Sequence, residues 1–251
     1  MPVPSDLAAA PQGPVDVPAA VARLAGDDVV TPVWRNAVGG LTFRLAGTDA
    51  PRERYVKWAP VTAVELDLAA EAERLAWAGR YTPVPRVLDR GADAAGSWLV
   101  TAGIAGRSAV ERQWVERPEA AARAIGAGLR ALHDTLPVDD CPFSWGVADR
   151  AARLSPAARD RVGRVPEVDR FVVCHGDPCA PNTLLDDDGT WVAHVDLDAL
   201  GVADRWADLA VASDSLEWNY GDGYEAAFFD AYGIAPDPER IAFYRRLWHL
   251  G

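Results

Sequence analysis

The segment VVCHGDPCAPNTLLDDDGTWVAHVDLD, residues 172–198, decides the fold, because it combines breaker residues and polar side chains in a pattern that a simple hairpin does not need. Its first residues are typical of a buried strand, and HGDPCAPN, with glycine and two prolines, is typical of a loop. The remainder predicts a hairpin that turns at Asp188-Gly189, at the end of the acidic run 186–188. The turn explains that run, but it does not explain Asp177, Asn182 and Asp196.

These three residues suit a magnesium site. Asp177 and Asn182 are five residues apart in the loop, and Asp196 closes the returning strand, so the loop can bring the three polar ends together. Mg²⁺ takes few protein ligands, prefers hard oxygen atoms and completes its shell with phosphate. The order H-x-D-x-x-x-x-N followed by a strand-borne Asp is that of protein kinases, in which the loop Asp receives the hydroxyl proton and the other two residues hold metal.

A lysine and a glutamate earlier in the chain fit the same chemistry. Lys57 is the only lysine among 25 basic residues, and it lies in the apolar, strand-like run YVKWA, where an ammonium group must be sheltered or paired. The T-x-x-E pattern from Thr62 to Glu65 predicts a helix from Ala63 to Ala78, with Val64 on its apolar stripe. Glu71 falls within that stripe and is the expected partner of Lys57.

Composition excludes several classes of function. The chain has 251 residues and is 49% hydrophobic, which indicates a folded globular protein. Its formal net charge of −12 disfavours a nucleic-acid partner and suits a small cationic ligand. Neither a signal peptide nor an 18-residue apolar run is present, so we expect a cytoplasmic protein without a membrane partner.

The hydrophobic pattern predicts an α+β fold with two lobes. Residues 1–28 are expected to form a loose N-terminal arm, and residues 29–102 a small antiparallel sheet with one main helix, the nucleotide-binding N-lobe. Residues 103–251 are expected to form a larger, mostly helical C-lobe with the catalytic loop, metal and substrate sites. This lobe includes a helix after Pro118 and three helical stretches after Asp204.

Four segments, HGDPCAPN, HVDLDALGVADRWADLA, YVKWAP and IAFYRRL, resemble the aminoglycoside phosphotransferase family, which has a protein-kinase-like fold. The resemblance covers residues 29 to the end. The loop motif HGDPC is closest to the streptomycin and kanamycin phosphotransferases, and more similar to the streptomycin-directed branch. The resemblance implies transfer of the γ-phosphoryl group of ATP, or GTP, with Mg²⁺, to the 3'- or 3''-hydroxyl of an aminoglycoside antibiotic, a small cationic substrate. Such a reaction would confer resistance to the antibiotic.

The resemblance also implies roles for individual residues. Lys57 would bind the α and β phosphates with Glu71 as its ion-pair partner, and Asp177 would be the catalytic base. Asn182 and Asp196 would hold Mg²⁺. The structural support of the loop would come from two further residues, His175 and Asp208. Phosphate would also approach the backbone amides of two glycines, Gly39 and Gly40, although this loop, NAVGGLTF, lacks the G-x-G-x-x-G motif.

Substrate specificity is less defined by the sequence. Asp198 stands where the family usually has glycine, and it is a candidate acid near the metal. Asp214 and Glu217 are candidates to bind a cationic substrate. Arg outnumbers the acids in the stretch from Asp149 to Arg170, and this stretch does not favour a polycation.

Other functions remain open at this stage. The acceptor could be another hydroxylated metabolite, such as an amino sugar, or the chain could be a nucleotide-binding regulator without turnover. A metal hydrolase built on His175, Asp177 and Asp196 is a third alternative, but it leaves Lys57 and Glu71 unexplained.

Overall fold

The computed structural model describes residues 10–11, 13–47 and 53–250. The described residues form two compact units: the first comprises those up to residue 80 and residues 84–104, and the second comprises residues 81–83 and 105–250. This division lies close to the boundary expected between residues 102 and 103. No helix in the described part of the chain is both long and apolar enough to cross a membrane.

The first unit contains a five-stranded antiparallel sheet in the order β1-β2-β3-β5-β4. Its elements are helix α1 (Ala19–Ala25), strands β1 (Val29–Arg35), β2 (Leu41–Ala46) and β3 (Arg54–Pro60), helix α2 (Leu68–Ala78), and strands β4 (Val87–Ala92) and β5 (Gly96–Ala102). The three successive strands expected at the start of the sheet are confirmed, although the connection between β2 and β3 lies partly outside the described residues.

Helix α1 corrects the expectation of a loose arm over residues 1–28. Val21 of this helix is fully buried against Phe43, Leu45 and Val56 of the sheet. The alanine-rich sequence AAVARLA favours a helix by its propensity, and burial of its apolar side chains against the sheet stabilises it. Residues 1–9, the start of the expected arm, lie outside the described residues.

Helix α2 begins five residues later than the sequence predicts. Residues 60–66 form turns, and Asp67 caps the helix by accepting a hydrogen bond from the Ala70 amide at 2.9 Å. The predicted start at Ala63 is therefore wrong, and Val64 is 84% exposed rather than part of the apolar stripe. The spacing of Leu68, Ala72 and Leu75 keeps the same face buried, because the phase of the helix is unchanged.

The second unit is mostly helical. Its helices are α3 (Arg112–Val115), α4 (Pro118–Thr135), α5 (Val147–Arg153), α6 (Pro156–Arg159), α7 (Trp206–Tyr220), α8 (Glu225–Tyr232) and α9 (Pro238–Leu250). Its strands are β6 (Arg107–Ser108), β7 (Phe171–Cys174), β8 (Thr183–Leu185), β9 (Trp191–His194) and β10 (Gly201–Asp204), and residues Ala180–Asn182 form a 3-10 turn. Helix α4 packs against α8, and α7 packs against α9. The helix after Pro118 and the three C-terminal helices are as predicted.

Two small sheets hold the loop of interest in the second unit. Strand β7 pairs with β10, and strands β6, β8 and β9 form an antiparallel sheet. The β8–β9 hairpin turns as predicted, because one carboxylate oxygen of Asp186 accepts hydrogen bonds from the amides of Asp188 and Thr190. The acidic run is therefore a structural feature of the turn.

Candidate active site

An ion pair joins β3 to α2 in the first unit. Lys57 lies on the central strand, opposite Thr42 on β2 and Leu99 on β5. Its Nζ donates to Oε1 of Glu71 at 2.6 Å, and the glutamate side chain is only 3% exposed. A buried carboxylate needs such a partner, so the buried face of α2 and the central strand together fix this pair.

The loop between β1 and β2 differs from the expectation for Gly39 and Gly40. The Gly40 amide donates to Oδ1 of Asn36 at 2.6 Å, and the Gly39 amide donates to the Asn36 carbonyl at 3.3 Å. Both amides that were expected to approach phosphate are therefore already engaged within the loop. A Cβ atom at Gly40 would lie 2.6 Å from Nδ2 of Asn36 and 2.7 Å from Cδ1 of Leu66, so a side chain at this position would displace both.

A buried carboxylate on α7 holds the start of the 175–182 loop in the second unit. Oδ2 of Asp208 accepts from the His175 amide at 2.6 Å, and Oδ1 accepts from the Gly176 amide at 2.9 Å. Asp208 is fully buried, and it lies in the first turn of α7, where the helix dipole favours a negative charge. The expected contact of Asp208 with the loop is present.

The second half of this network was not predicted from the sequence. His133 on α4 contacts Oδ2 of Asp208 through Nε2 at 2.9 Å, and its Nδ1 lies 2.8 Å from the Tyr232 hydroxyl. In the sequence, His133 directly follows an apolar position of α4, Leu132. Its partners, Asp208 of α7 and Tyr232 of α8, lie far away in the sequence and meet it only when the helices pack. His133, Cys174 and Asp208 also have spacing that suits a metal ion. Hydrogen bonds already engage both nitrogens of His133 and both oxygens of Asp208, so this cluster is a structural network.

His175 connects the loop to the end of the hairpin. Its Nε2 lies 3.0 Å from the Val195 carbonyl, and the Asp177 amide donates to Nδ1 at 3.4 Å. These partners require a proton on Nε2 and none on Nδ1. Because both nitrogens are engaged, His175 does not suit a metal ligand, and a hydrolase built on it is not supported.

Asp177 and Asn182 face each other across the loop. Nδ2 of Asn182 donates to the Asp177 carbonyl at 2.9 Å and lies 3.4 Å from Oδ2 of the same residue. Oδ1 of Asp177 is buried and accepts no hydrogen bond from the residues that the structure describes. Burial raises the pKa of the Asp177 carboxyl above its usual value. A hydrogen bond from the Cys179 side chain lowers this pKa, and the negative charge of Asp196 raises it. The loop thus presents a carboxylate oxygen with proton affinity and no partner.

Asp196 lies two residues beyond the end of β9, rather than within the strand. Its backbone has φ 64°, and no other non-glycine residue in the described part of the chain has a positive φ. This conformation is costly for a residue with a side chain and recurs where the surrounding structure fixes a functional group. The negative charge of Asp196 raises the pKa of Asp177.

The donor set of the loop fits a hard divalent cation. Asn182 uses its amide nitrogen in the loop, which leaves Oδ1 as the ligand atom, and Asp196 supplies a carboxylate. The unpartnered Oδ1 of Asp177 adds an oxygen that nothing in the described chain satisfies. Oxygen ligands from an amide and carboxylates are those that Mg²⁺ accepts.

The three candidate substrate acids have different environments. Asp198 is exposed directly after the loop containing Asp196, and Glu217 is exposed towards the end of α7. Asp214 is buried, and its carboxylate contacts His249 at 2.9 Å and Arg245 at 3.4 Å. Asp214 is therefore engaged by α9, and the expectation that it is available to a substrate is not met.

The family model described as "Phosphotransferase enzyme family" matches residues 34–169 and 146–244. An aminoglycoside 3'-phosphotransferase of Streptomyces fradiae is 38% identical, over 83% of this chain and 90% of that protein. A streptomycin 3''-kinase of Streptomyces griseus is 37% identical, over 83% of this chain and 87% of that protein.

Among solved structures, the aminoglycoside phosphotransferase APH(3'')-Id from Streptomyces rimosus, in complex with ADP and streptomycin, superimposes with a TM-score of 0.71. It is 32% identical, and the match covers 92% of this chain and 95% of that chain.

Proposed function

Because the chain belongs to the phosphotransferase enzyme family and is an enzyme of the aminoglycoside phosphotransferase kind, we propose that it transfers the γ-phosphoryl group of ATP to a hydroxyl of an aminoglycoside. The observation that carries the proposal is Asp177: a buried oxygen without a partner, in a loop fixed by Asp208. A kinase requires such an oxygen at the acceptor hydroxyl.

The mechanism requires positioning and charge neutralisation rather than a covalent enzyme intermediate. Asp177 accepts the proton of the acceptor hydroxyl through Oδ1. Its raised pKa makes the carboxylate a stronger base for this proton. Asp208 and His175 hold the loop in place through hydrogen bonds to its backbone amides and to Val195. This support limits the freedom of the carboxylate before the acceptor arrives.

Lys57 is suited to bind the nucleotide phosphates. Its ammonium group is held by Glu71 at 2.6 Å, and the lysine side chain remains 25% exposed, so phosphate oxygens can approach it. Asn182 and Asp196 would hold Mg²⁺. When bound, Mg²⁺ neutralises charge on the phosphate oxygens and orients the phosphoryl group.

The acceptor that these observations favour is a cationic aminoglycoside, phosphorylated at a 3'- or 3''-hydroxyl. The formal net charge of −12 attracts cations to the protein, and the side chains of Asp198 and Glu217 are exposed acids on its surface. A chain of this kind acts where ATP is available, in the cytoplasm, and its activity would protect a host from the antibiotic.

In the first experiment, the protein is incubated with Mg·ATP and one acceptor at a time: streptomycin, kanamycin, neomycin or glucosamine. Mass spectrometry then measures the mass of the acceptor. We expect a gain of one phosphoryl group on streptomycin or kanamycin, and nuclear magnetic resonance of the product identifies the hydroxyl. Replacing ATP with GTP determines the donor preference. Omitting Mg²⁺ should abolish transfer.

Two variants separate chemistry from contamination. Asp177→Asn removes the proton acceptor, whereas Asp186→Asn is a matched control, because Asp186 is an aspartate in the exposed hairpin turn. Transfer by the Asp186 variant but not by the Asp177 variant supports the proposal. Phosphorylation of glucosamine alone would instead indicate a kinase of amino sugars, and nucleotide binding without transfer to any acceptor would indicate a regulator.

A further inference from the structure

A buried tryptophan lies against the catalytic loop in the second unit. Residues 143–145 pair with β10, because the Trp145 amide donates to the Val202 carbonyl at 3.1 Å and the Val202 amide donates to the Phe143 carbonyl at 2.9 Å. The Trp145 side chain is 2% exposed, and its Nε1 donates to the carbonyl of Gly176 at 3.2 Å. The indole is therefore fixed beside the residue that precedes Asp177.

Arg150 of α5 stacks on this tryptophan. Its Cζ lies 4.8 Å from the centre of the Trp145 ring, within the range of a cation–π contact. A guanidinium held by its face has its edge N–H groups available. Arg150 donates no hydrogen bond to any residue that the structure describes, and it forms no salt bridge with any of them. The half-buried guanidinium is thus positioned by its ring contact alone.

The charges around Arg150 belong to the proposed site. Burial lowers the pKa of the Arg150 guanidinium from its usual value, Arg153 lowers it further, and the carboxylates of Asp198 and Asp177 raise it. The group stays charged, because arginine keeps its proton at any physiological pH. A cation that Trp145 holds beside the catalytic loop, and whose N–H groups no described residue engages, is suited to bind an anion there.

We propose that Arg150 is a catalytic residue that binds oxygens of the phosphoryl group while this group passes to the acceptor hydroxyl. The inference rests on the proposed function. In the step, the acceptor oxygen forms a bond to the γ-phosphorus, the bond from this phosphorus to the bridging oxygen breaks, and its electron pair leaves with ADP. The hydroxyl proton goes to Asp177. Arg150 stabilises the negative charge on the phosphoryl oxygens.

The chemistry of the guanidinium favours phosphate over the other groups of the acceptor. An aminoglycoside presents ammonium or guanidinium groups, which Arg150 repels, and neutral hydroxyls, which bind a cation weakly. A phosphoryl group offers two oxygens at the spacing of the guanidinium fork. The anion that reaches Asp177 in this reaction is the phosphoryl group.

The test compares Arg150→Gln and Arg150→Lys with the control Arg153→Gln, an exposed arginine one turn along the same helix. Loss of one fixed donor to a transition-state charge lowers kcat by about 100-fold, and we expect that loss in Arg150→Gln with the KM for ATP almost unchanged. Arg150→Lys should retain part of the activity. Arg153→Gln should match the wild type.

A binding measurement complements the kinetics. Calorimetry gives the affinity of each variant for Mg·ADP alone and for Mg·ADP with fluoroaluminate, an anionic mimic of the phosphoryl group in transfer. We expect Arg150→Gln to bind Mg·ADP normally and to lose the extra affinity that fluoroaluminate gives to the wild type. A residue with a merely structural role would not separate these two affinities.

Three results would overturn the inference. One is unchanged kcat in Arg150→Gln with a lower KM for the acceptor, which would make Arg150 a residue that repels cationic acceptors. Another is full fluoroaluminate affinity in this variant, and the third is a loss of activity that follows a loss of thermal stability. Failure of the proposed function is distinct, since the wild type itself would then transfer no phosphoryl group.

Discussion

Replacing Asp208 with Asn tests whether the catalytic loop depends on this carboxylate. In the structure, Asp208 accepts hydrogen bonds from the amides of His175 and Gly176 and contacts Nε2 of His133. An asparagine has one oxygen in place of two, and its NH₂ group must face one of the two loop amides. Whichever way the amide is turned, at least one buried N–H group of the loop loses its acceptor.

The expected loss of stability follows from these contacts. An unsatisfied buried donor costs about 1–3 kcal/mol, and the remaining bonds become weaker because the acceptor is neutral. His133 can adapt by moving its proton from Nε2 to Nδ1, where the Tyr232 hydroxyl lies at 2.8 Å and can accept. We therefore expect the free energy of unfolding to fall by roughly 2–4 kcal/mol. Alanine would leave all three donors without an acceptor, and the expected loss of about 3–9 kcal/mol approaches the total stability of a typical domain.

Urea denaturation followed by tryptophan fluorescence measures this loss, and kcat measures its consequence for the loop. We expect kcat of Asp208→Asn to fall while the affinity for nucleotide, which depends on Lys57 and Glu71 in the other unit, remains. Asp186→Asn is again the control, because that aspartate accepts backbone hydrogen bonds in an exposed turn. Free energies of unfolding within about 0.5 kcal/mol of the wild type for both Asp208 variants would refute the reasoning.

Three further predictions concern other parts of the site. The pKa of Asp177 is higher in the folded protein than in the unfolded chain, so burial of the charged carboxylate lowers stability at pH values above the pKa of the unfolded state. The base must be ionised to accept a proton, so kcat should fall as the pH falls through the raised pKa of the folded state. Asp177→Asn should accordingly lower kcat by about 10²–10⁴-fold and raise the unfolding temperature at pH 7 without Mg²⁺; an unchanged kcat would contradict the role of base. Lys57→Ala should weaken nucleotide binding and destabilise the protein, because Glu71 stays buried without this partner. The double variant Lys57→Met, Glu71→Leu should recover stability but not nucleotide binding. Calorimetry measures the binding, and thermal unfolding measures the stability. Gly40→Ala should raise the KM for ATP, since its Cβ would lie 2.6 Å from Asn36 and distort the loop, and an unchanged KM would separate this loop from nucleotide binding.

Spacing along the chain was sufficient to predict several contacts. The Lys57–Glu71 pair follows from one lysine in an apolar strand and one carboxylate on an apolar helix face, because neither charge tolerates burial alone. The hairpin at Asp186 follows from local turn chemistry. Such features depend on a few neighbouring residues or on the avoidance of an unpaired charge, so a single sequence contains enough information.

Predictions failed where one local signal competed with another. Thr62 and Glu65 match a capping box, yet Asp67 caps the helix, and sequence alone does not rank the two caps. The amides of Gly39 and Gly40 were expected to be available, but the Asn36 side chain and carbonyl take both. Asp214 was one candidate to bind a cationic substrate, and α9 instead brings Arg245 and His249 to it.

The sequence by itself determined the inventory of the site: a lysine and a glutamate in the first unit, and Asp177, Asn182 and Asp196 in the second, with their order along the chain. Only the tertiary structure decided which polar groups are already satisfied. Asp208 receives its partners from α4 and the loop, and Trp145 brings Arg150 to the loop from α5. The physical reason is that a hydrogen bond or a cation–π contact depends on distance and direction in space, and segments far apart in sequence meet only when the chain packs.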